Sequence, residues 1–204
     1  YGPALAGGGD LLKPDITAPG VDVAAAYHPN PDDPSQPGFD QISGTSMSAP
    51  HIAGLAALMK QEFPEWSPAA IKSAMMTTAR DTDDDGGPIQ RGGSDASPLD
   101  FGAGEVVPIE SYNPGLVYDA GWDDWLTYMC AVEPAAVSGC DDVPAASDLN
   151  YPSIAVGALA GTQTVTRTVT DVTGVGGTYT ADVEAPAGTT VTVDPATIVV
   201  PANG

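Results

Sequence analysis

The chain has 204 residues, 27 acidic and 6 basic side chains, and a formal net charge of −21. That length supports one large domain or two modest ones, with enough apolar residues to fill a core. So few cations cannot neutralise a phosphate backbone, which excludes nucleic acid; an anionic membrane surface would repel the chain, and no apolar run approaches the roughly 18 residues of a spanning helix.

Residues 1–45 read as loop, with Gly7-Gly8-Gly9, several prolines and a polar stretch over 28–36. Tyr1-Gly2-Pro3 does not have the form of a natural start, and no basic-then-apolar leader follows it. The first helix is expected over 46–63, where Ile52, Leu55, Met59 and Phe63 fall at helical spacing. Pro50 sits close enough to its start that little or no internal hydrogen bonding is lost. Ala49, Ala53, Gly54, Ala56 and Ala57 predict close packing on several sides. Ser67-Pro68 signals a second helix, an N-cap followed by proline at the first helical position. It continues through Ile71, Ala74, Met75 and Thr78 and runs out before an acidic turn at 81–87. A third helix is predicted over 122–132, with Trp122, Trp125 and Tyr128 on one face for core or domain-interface packing.

From about Leu149 the text becomes Thr/Val-rich. Residues 164–170, 179–183 and 191–193 alternate with period two, and Ile198-Val199-Val200 is a short apolar run. Glycine and proline punctuate them at 174–177, 186–188 and 194–195. That is a β-sandwich rhythm, but only about four strands fit where about seven are expected. The chain therefore divides at 1–146 and 147–204, and the second part is expected to stop short of a full sandwich.

Chemistry concentrates in Gly44-Thr45-Ser46-Met47-Ser48-Ala49-Pro50-His51. A glycine turn places Ser46 at a helix N-terminus, where unpaired N–H groups and the helix dipole favour negative charge. Ser46 Oγ could attack a carbonyl while the Ser46 N–H holds the developing oxyanion. Taken alone, an arbitrary Gly-x-Ser reads as a simple N-cap serine.

The full segment from Gly44 to Gly54 resembles the serine motif of the subtilisin-like serine proteases. Lys13-Pro14-Asp15-Ile16-Thr17-Ala18-Pro19-Gly20 resembles the strand and turn that precede that serine. Phe101-Gly102-Ala103-Gly104, Asn113-Pro114-Gly115-Leu116-Val117-Tyr118-Asp119 and Leu149-Asn150-Tyr151-Pro152-Ser153-Ile154 are similar to the plant-type branch, whose members carry a fibronectin-III-like domain after the protease domain. The resemblance implies an α/β fold, the C-terminal part of a subtilisin-like protease domain followed by an incomplete all-β fibronectin-III-like sandwich. It implies a secreted, extracellular serine endopeptidase acting on peptide or protein substrates through an acyl-enzyme on Ser46. No organic cofactor or metal is implied, and oligomeric state is left open.

In that family the catalytic aspartate and histidine, and an oxyanion asparagine, precede the serine; here only 45 residues do. Asp22, His28 and Ser46 mimic the triad order. However, His28 is followed by Pro29-Asn30 rather than the family's glycine, and Asp22 lacks the small-residue turn of the family's aspartate. His51 belongs to the serine motif as a supporting group and is not the triad base. This chain alone is therefore expected to be inactive, a nucleophile half without its base. The rival reading is a non-enzymatic surface-binding or scaffold module derived from a protease. An unrelated esterase or acyltransferase would need a histidine after the serine, and His51 is too close on the same helix.

Asp81-x-Asp83-x-Asp85-Gly86 has the spacing of a calcium loop, but Gly92 stands where a bidentate acid is needed, so a solvated acidic turn is expected. Two cysteines, Cys130 and Cys140, permit one disulfide, and their neutral reading is two small buried thiols. Plant-type members often carry cysteines near this place, and the resemblance with export implies a disulfide.

Overall fold

A computed structural model describes residues 2–204. After an opening segment that carries one short 3-10 turn (Ala6–Gly9) come β1 (Val23–Tyr27) and β2 (Gly38–Ile42), an antiparallel hairpin in which Val23 faces Ile42. Helix α1 (Thr45–Glu62) and helix α2 (Pro68–Thr77) follow. Next are the short hairpin β3 (Gln90–Arg91) and β4 (Ser94–Asp95), the single turn α3 (Pro98–Phe101), β5 (Leu116–Val117) and α4 (Trp122–Val132). Beyond α4 the chain has no further α-helix among the described residues. It continues with β6 (Thr170–Asp171), β7 (Gly177–Thr180) and β8 (Thr197–Val200).

Helix α2 is the centre of the molecule. Ser67 Oγ accepts from the Ala70 N–H at 2.9 Å, and Pro68 occupies the first turn, as the sequence predicts. Ala70, Ile71, Ser73, Ala74, Met75 and Met76 are all buried, because the helix is packed on two sides. One side meets Leu55 and Met59 of α1 with Val117 of β5. The other meets Leu11, Tyr128 of α4, Leu149 and Tyr151.

Helix α1 is packed on one face only. Leu55 and Met59 are buried and Ile52 is half-buried, but Ala49, Ala53, Gly54 and Ala57 face solvent and Leu58 is 57% exposed. The expected packing on several sides is corrected: only the i, i+3, i+4 stripe toward α2 is covered. Pro50 is also deeper than expected. It lies in the second helical turn, so it fails to donate to the Ser46 carbonyl and forfeits one intrahelical bond. On α4, Trp125 meets Tyr128 edge-on at 5.8 Å, whereas Trp122 is 76% exposed and leaves the expected aromatic face.

Every ladder is an antiparallel pair: β1–β2, β3–β4, β5–β6 and β7–β8. Residues 164–169 keep their period-two pattern, with Val165, Arg167 and Val169 half-buried, yet form no ladder. Side chains replace the neighbouring strand: Thr166 N–H donates to Asp148 Oδ1 at 2.8 Å and Thr168 N–H to Asn150 Oδ1 at 3.0 Å. Residues 191–193 are exposed and unladdered too, and the expected strand over 179–183 is confined to β7.

Asp171 closes this C-terminal part. Its buried carboxylate accepts from the N–H groups of Thr173, Gly174, Gly176 and Asn203 and from Thr173 Oγ1. The Thr173 hydroxyl and these amides hold its pKa down to about 2, against an ordinary 3.8. A depressed folded pKa means that the stabilisation is fully present above about pH 4 and is lost as pH falls toward 2. Thermal melts should therefore lose stability between pH 4 and 2, and Asp171→Asn should flatten that slope. Parallel slopes for the two proteins would refute the assignment.

Cys130 at the end of α4 is bonded to Cys140. The loop closed is short, so the chain-entropy contribution is about 2–3 kcal/mol. Intact mass after alkylation without reductant should show no modified cysteine; two added alkyl groups would refute the bond.

Candidate active site

The β1–β2 hairpin determines where Ser46 sits. Its antiparallel register returns the chain to its starting point, so the residues just before β1 and just after β2 become neighbours. Gly44 N–H donates to the Gly20 carbonyl at 2.7 Å, and Ser48 Oγ donates to the Ala18 carbonyl at 2.8 Å. The approach is close enough to require glycine: a Cβ on Gly20 would stand 2.9 Å from the Gly44 oxygen and 3.1 Å from Ser48 Cβ. Ser46 lies between these two anchors, in the first turn of α1 and exposed. The Thr45 and Ser46 N–H groups have no intrahelical carbonyl to reach, while Gly44 O accepts from Met47 N–H at 3.0 Å. The arrangement presents a hydroxyl beside unpaired backbone donors at the positive end of a helix.

No imidazole among the described residues hydrogen-bonds to Ser46. His51 is exposed and its Nδ1 donates to the Met47 carbonyl at 2.9 Å, so it packs on its own helix. His28 Nδ1 donates to the adjacent Pro29 carbonyl at 3.0 Å, and its ring lies against Tyr27 at the far end of β1. Asp22 is occupied by Ser43, whose Oγ donates to its Oδ1 at 3.1 Å. Asp22, His28 and Ser46 thus each have separate surroundings. In the acidic turn, Asp83 Oδ1 accepts from the Asp85 and Gly87 N–H groups at 3.0 and 2.8 Å, and Arg80 pairs with Asp84 at 2.5 Å.

A second constellation escaped sequence reasoning. Asp15 is held by Lys13 Nζ on Oδ1 at 2.5 Å, by Lys72 Nζ on Oδ2 at 2.7 Å, and by the Tyr151 hydroxyl on Oδ1. The ammonium groups of Lys13 and Lys72 stand 5.5 and 4.8 Å from the Tyr151 ring centre. Burial opposes charge on Asp15, but the three donors outweigh it and keep its carboxyl below the ordinary value. Burial pulls Lys72 down despite its partner, and burial with the Asp15 charge pushes the Tyr151 phenol far up. One signal was available: Lys13, Lys60 and Lys72 are the only lysines in a strongly acidic chain, and two of them converge here. Tyr151 and Lys72 also line a cleft of about 720 Å³ with Trp122 and Trp125, to which α1 contributes nothing.

The subtilase family model matches residues 1–104, and a fibronectin type-III domain model matches residues 148–204. The chain belongs to the subtilase family. Subtilisin-like protease SBT3.2 of Arabidopsis thaliana is 48% identical over 202 residues, covering 93% of this chain and 27% of that protein. Subtilisin-like protease SBT2.5 of the same plant is 48% identical over 192 residues, covering 84% of this chain and 24% of its own length. This subtilase chain therefore spans about a quarter of the curated relatives it matches. Fervidolysin from Fervidobacterium pennivorans, a keratinolytic enzyme related to subtilisin, is 27% identical with a TM-score of 0.35, over 46% of this chain and 14% of that one. Membership in the family bears out the α/β-then-β fold class, and the Cys130–Cys140 bond is present as the resemblance implied. No helix among the described residues is long and apolar enough to cross a membrane.

Proposed function

We propose that the protein carrying this chain is a secreted serine endopeptidase whose nucleophile is Ser46. The observation that carries this reading is the placement of Ser46 between the Gly44–Gly20 and Ser48–Ala18 anchors, at a helix N-terminus with an exposed hydroxyl. Ser46 Oγ attacks the scissile carbonyl, and the carbonyl oxygen turns toward the Ser46 N–H as negative charge develops. The proton from Oγ passes to a histidine supplied, with its aspartate and the oxyanion asparagine, by sequence beyond this chain. The leaving amine takes that proton, and water then hydrolyses the acyl-Ser46 ester. The substrate is a peptide or protein, and residues 1–146 supply the peptidase part, with 147–204 as the fibronectin-like part. A disulfide at Cys130 supports an oxidising, extracellular setting.

The absence of a base beside Ser46 among the described residues favours a second reading, a non-enzymatic binding or scaffold module. Fluorophosphonate labelling of the longer protein followed by peptide mapping separates the two. Modification confined to Ser46 together with peptide hydrolysis supports the peptidase. A folded longer protein that neither labels nor hydrolyses supports the scaffold.

A further inference from the structure

The two constellations are ends of one short stretch of chain. Asp15, held by Tyr151, opens it, and Gly20, held by Gly44, closes it. Between them Asp15 and Thr17 bond laterally to the segment 103–106, through the isolated parallel bridge of Thr17 with Glu105. Ala103 N–H donates to Asp15 O at 3.0 Å, Thr17 N–H to Gly104 O at 2.8 Å, and Val106 N–H to Thr17 O at 2.9 Å. The carbonyls of Ala18 and Gly20 then accept from Ser48 and Gly44, the two groups that flank Ser46. Asp15 and the two carbonyls that anchor the turn thus belong to one short segment, three to five residues apart.

We propose that Tyr151, in the segment matched by the fibronectin type-III model, is a positioning residue for Ser46, acting through Asp15 and the hydrogen-bonded stretch 15–20. The inference rests on Ser46 being the nucleophile. The Tyr151 hydroxyl shares Asp15 Oδ1 with Lys13, while Lys72 holds Oδ2, so the carboxylate is fixed in orientation from three directions. Removing the hydroxyl releases one of the three side-chain restraints on the residue that opens this segment. Spatial intermediacy alone does not establish coupling, so the test is a double-mutant cycle between the two ends.

The measurements are made on the full-length protease, with Tyr151→Phe, Ser48→Ala and the double variant. Active sites are counted by fluorophosphonate titration, so that kcat is expressed per competent Ser46. Tyr151→Phe should lower kcat per site roughly tenfold with KM within about twofold, short of the ~10²-fold cost of a 1 Å misplacement. Amide exchange at Gly44 should accelerate in both single variants, and the double variant should lose no more activity than the worse single one. A reduced count of active sites with unchanged kcat per site would overturn the proposal, since it marks a merely structural role; so would additive losses. Should Tyr151→Phe fail to fold, Asp15→Asn carries the same expectations. If the wild-type protein neither labels nor cleaves, the reading of Ser46 fails, and exchange at Gly44 decides the coupling by itself: unchanged exchange overturns it.

Discussion

On the proposed reading of Ser46 as nucleophile, replacing it by alanine in the longer protein is expected to lower kcat on the order of 10⁶-fold, the size of loss that removing the nucleophile costs in subtilisin itself. The expectation follows from the chemistry of the site. A serine hydroxyl is a weak nucleophile at neutral pH, and the acyl-enzyme cannot form without its oxygen. The helix N-terminus survives the substitution, so substrate binding should be kept and the loss should fall on kcat. The present chain alone is expected to resist fluorophosphonate, because both of its histidines spend Nδ1 on backbone carbonyls and neither reaches Ser46. Mass spectrometry of the treated chain checks this. Strong modification of Ser46 without the upstream sequence would mean that a base lies within these 204 residues.

Gly104→Ala should be strongly destabilising. Gly104 has φ +127, outside the range of L side chains, and an added Cβ would lie 2.2 Å from the Arg80 carbonyl oxygen. Neither problem can be relieved locally. Glu105 N–H donates to that same Arg80 oxygen at 2.7 Å, and Thr17 N–H draws on Gly104 O from the opposite side. Backbone strain and enforced overpacking together should cost at least about 3 kcal/mol. For a protein of this size that lowers Tm by about 6–12 °C. Gly92→Ala supplies the comparison, since φ there is +59 and nothing lies within 4 Å of an added Cβ. It should cost about 1–2 kcal/mol from conformation alone. Equal shifts for the two variants in thermal melts would show that the Arg80 contact carries no weight.

What could be read from the sequence was local. The Ser67-Pro68 start of α2 and the span of α4 depend on neighbours within a turn, and both formed where the pattern placed them. The serine segment is legible for the same reason: its glycine turn, capping position and helix are contiguous. Readings that depended on what lies across the chain fared differently. The small residues of α1 suggest a closely packed helix, yet composition does not reveal which faces are covered. Alternation over 164–169 is real, but its partners are the side chains of Asp148 and Asn150, and a period of two cannot distinguish those from a strand. Trp122 keeps helical spacing with Trp125 yet lies beyond the edge of the core. The Asp15–Tyr151 bond spans 136 positions, and both residues stood in recognisable motifs without any sign that they meet.

The pairing of β5 with β6 bears on modularity. Leu116 and Val117 lie outside both matched segments, while Thr170 and Asp171 lie inside the fibronectin type-III match, and each strand is the other's ladder partner. The fibronectin-like segment is thus not a bead on a string that could be transplanted by cutting at its nominal border. Grafted elsewhere, it would carry an unsatisfied edge at β6 and a Tyr151 stripped of its cations. Adding the bridging residues 105–147 would restore β5 to β6, but Lys13 and Lys72, the cations beside Tyr151, lie in the subtilase match, so an exchange that respects only the two named modules breaks the seam that joins them.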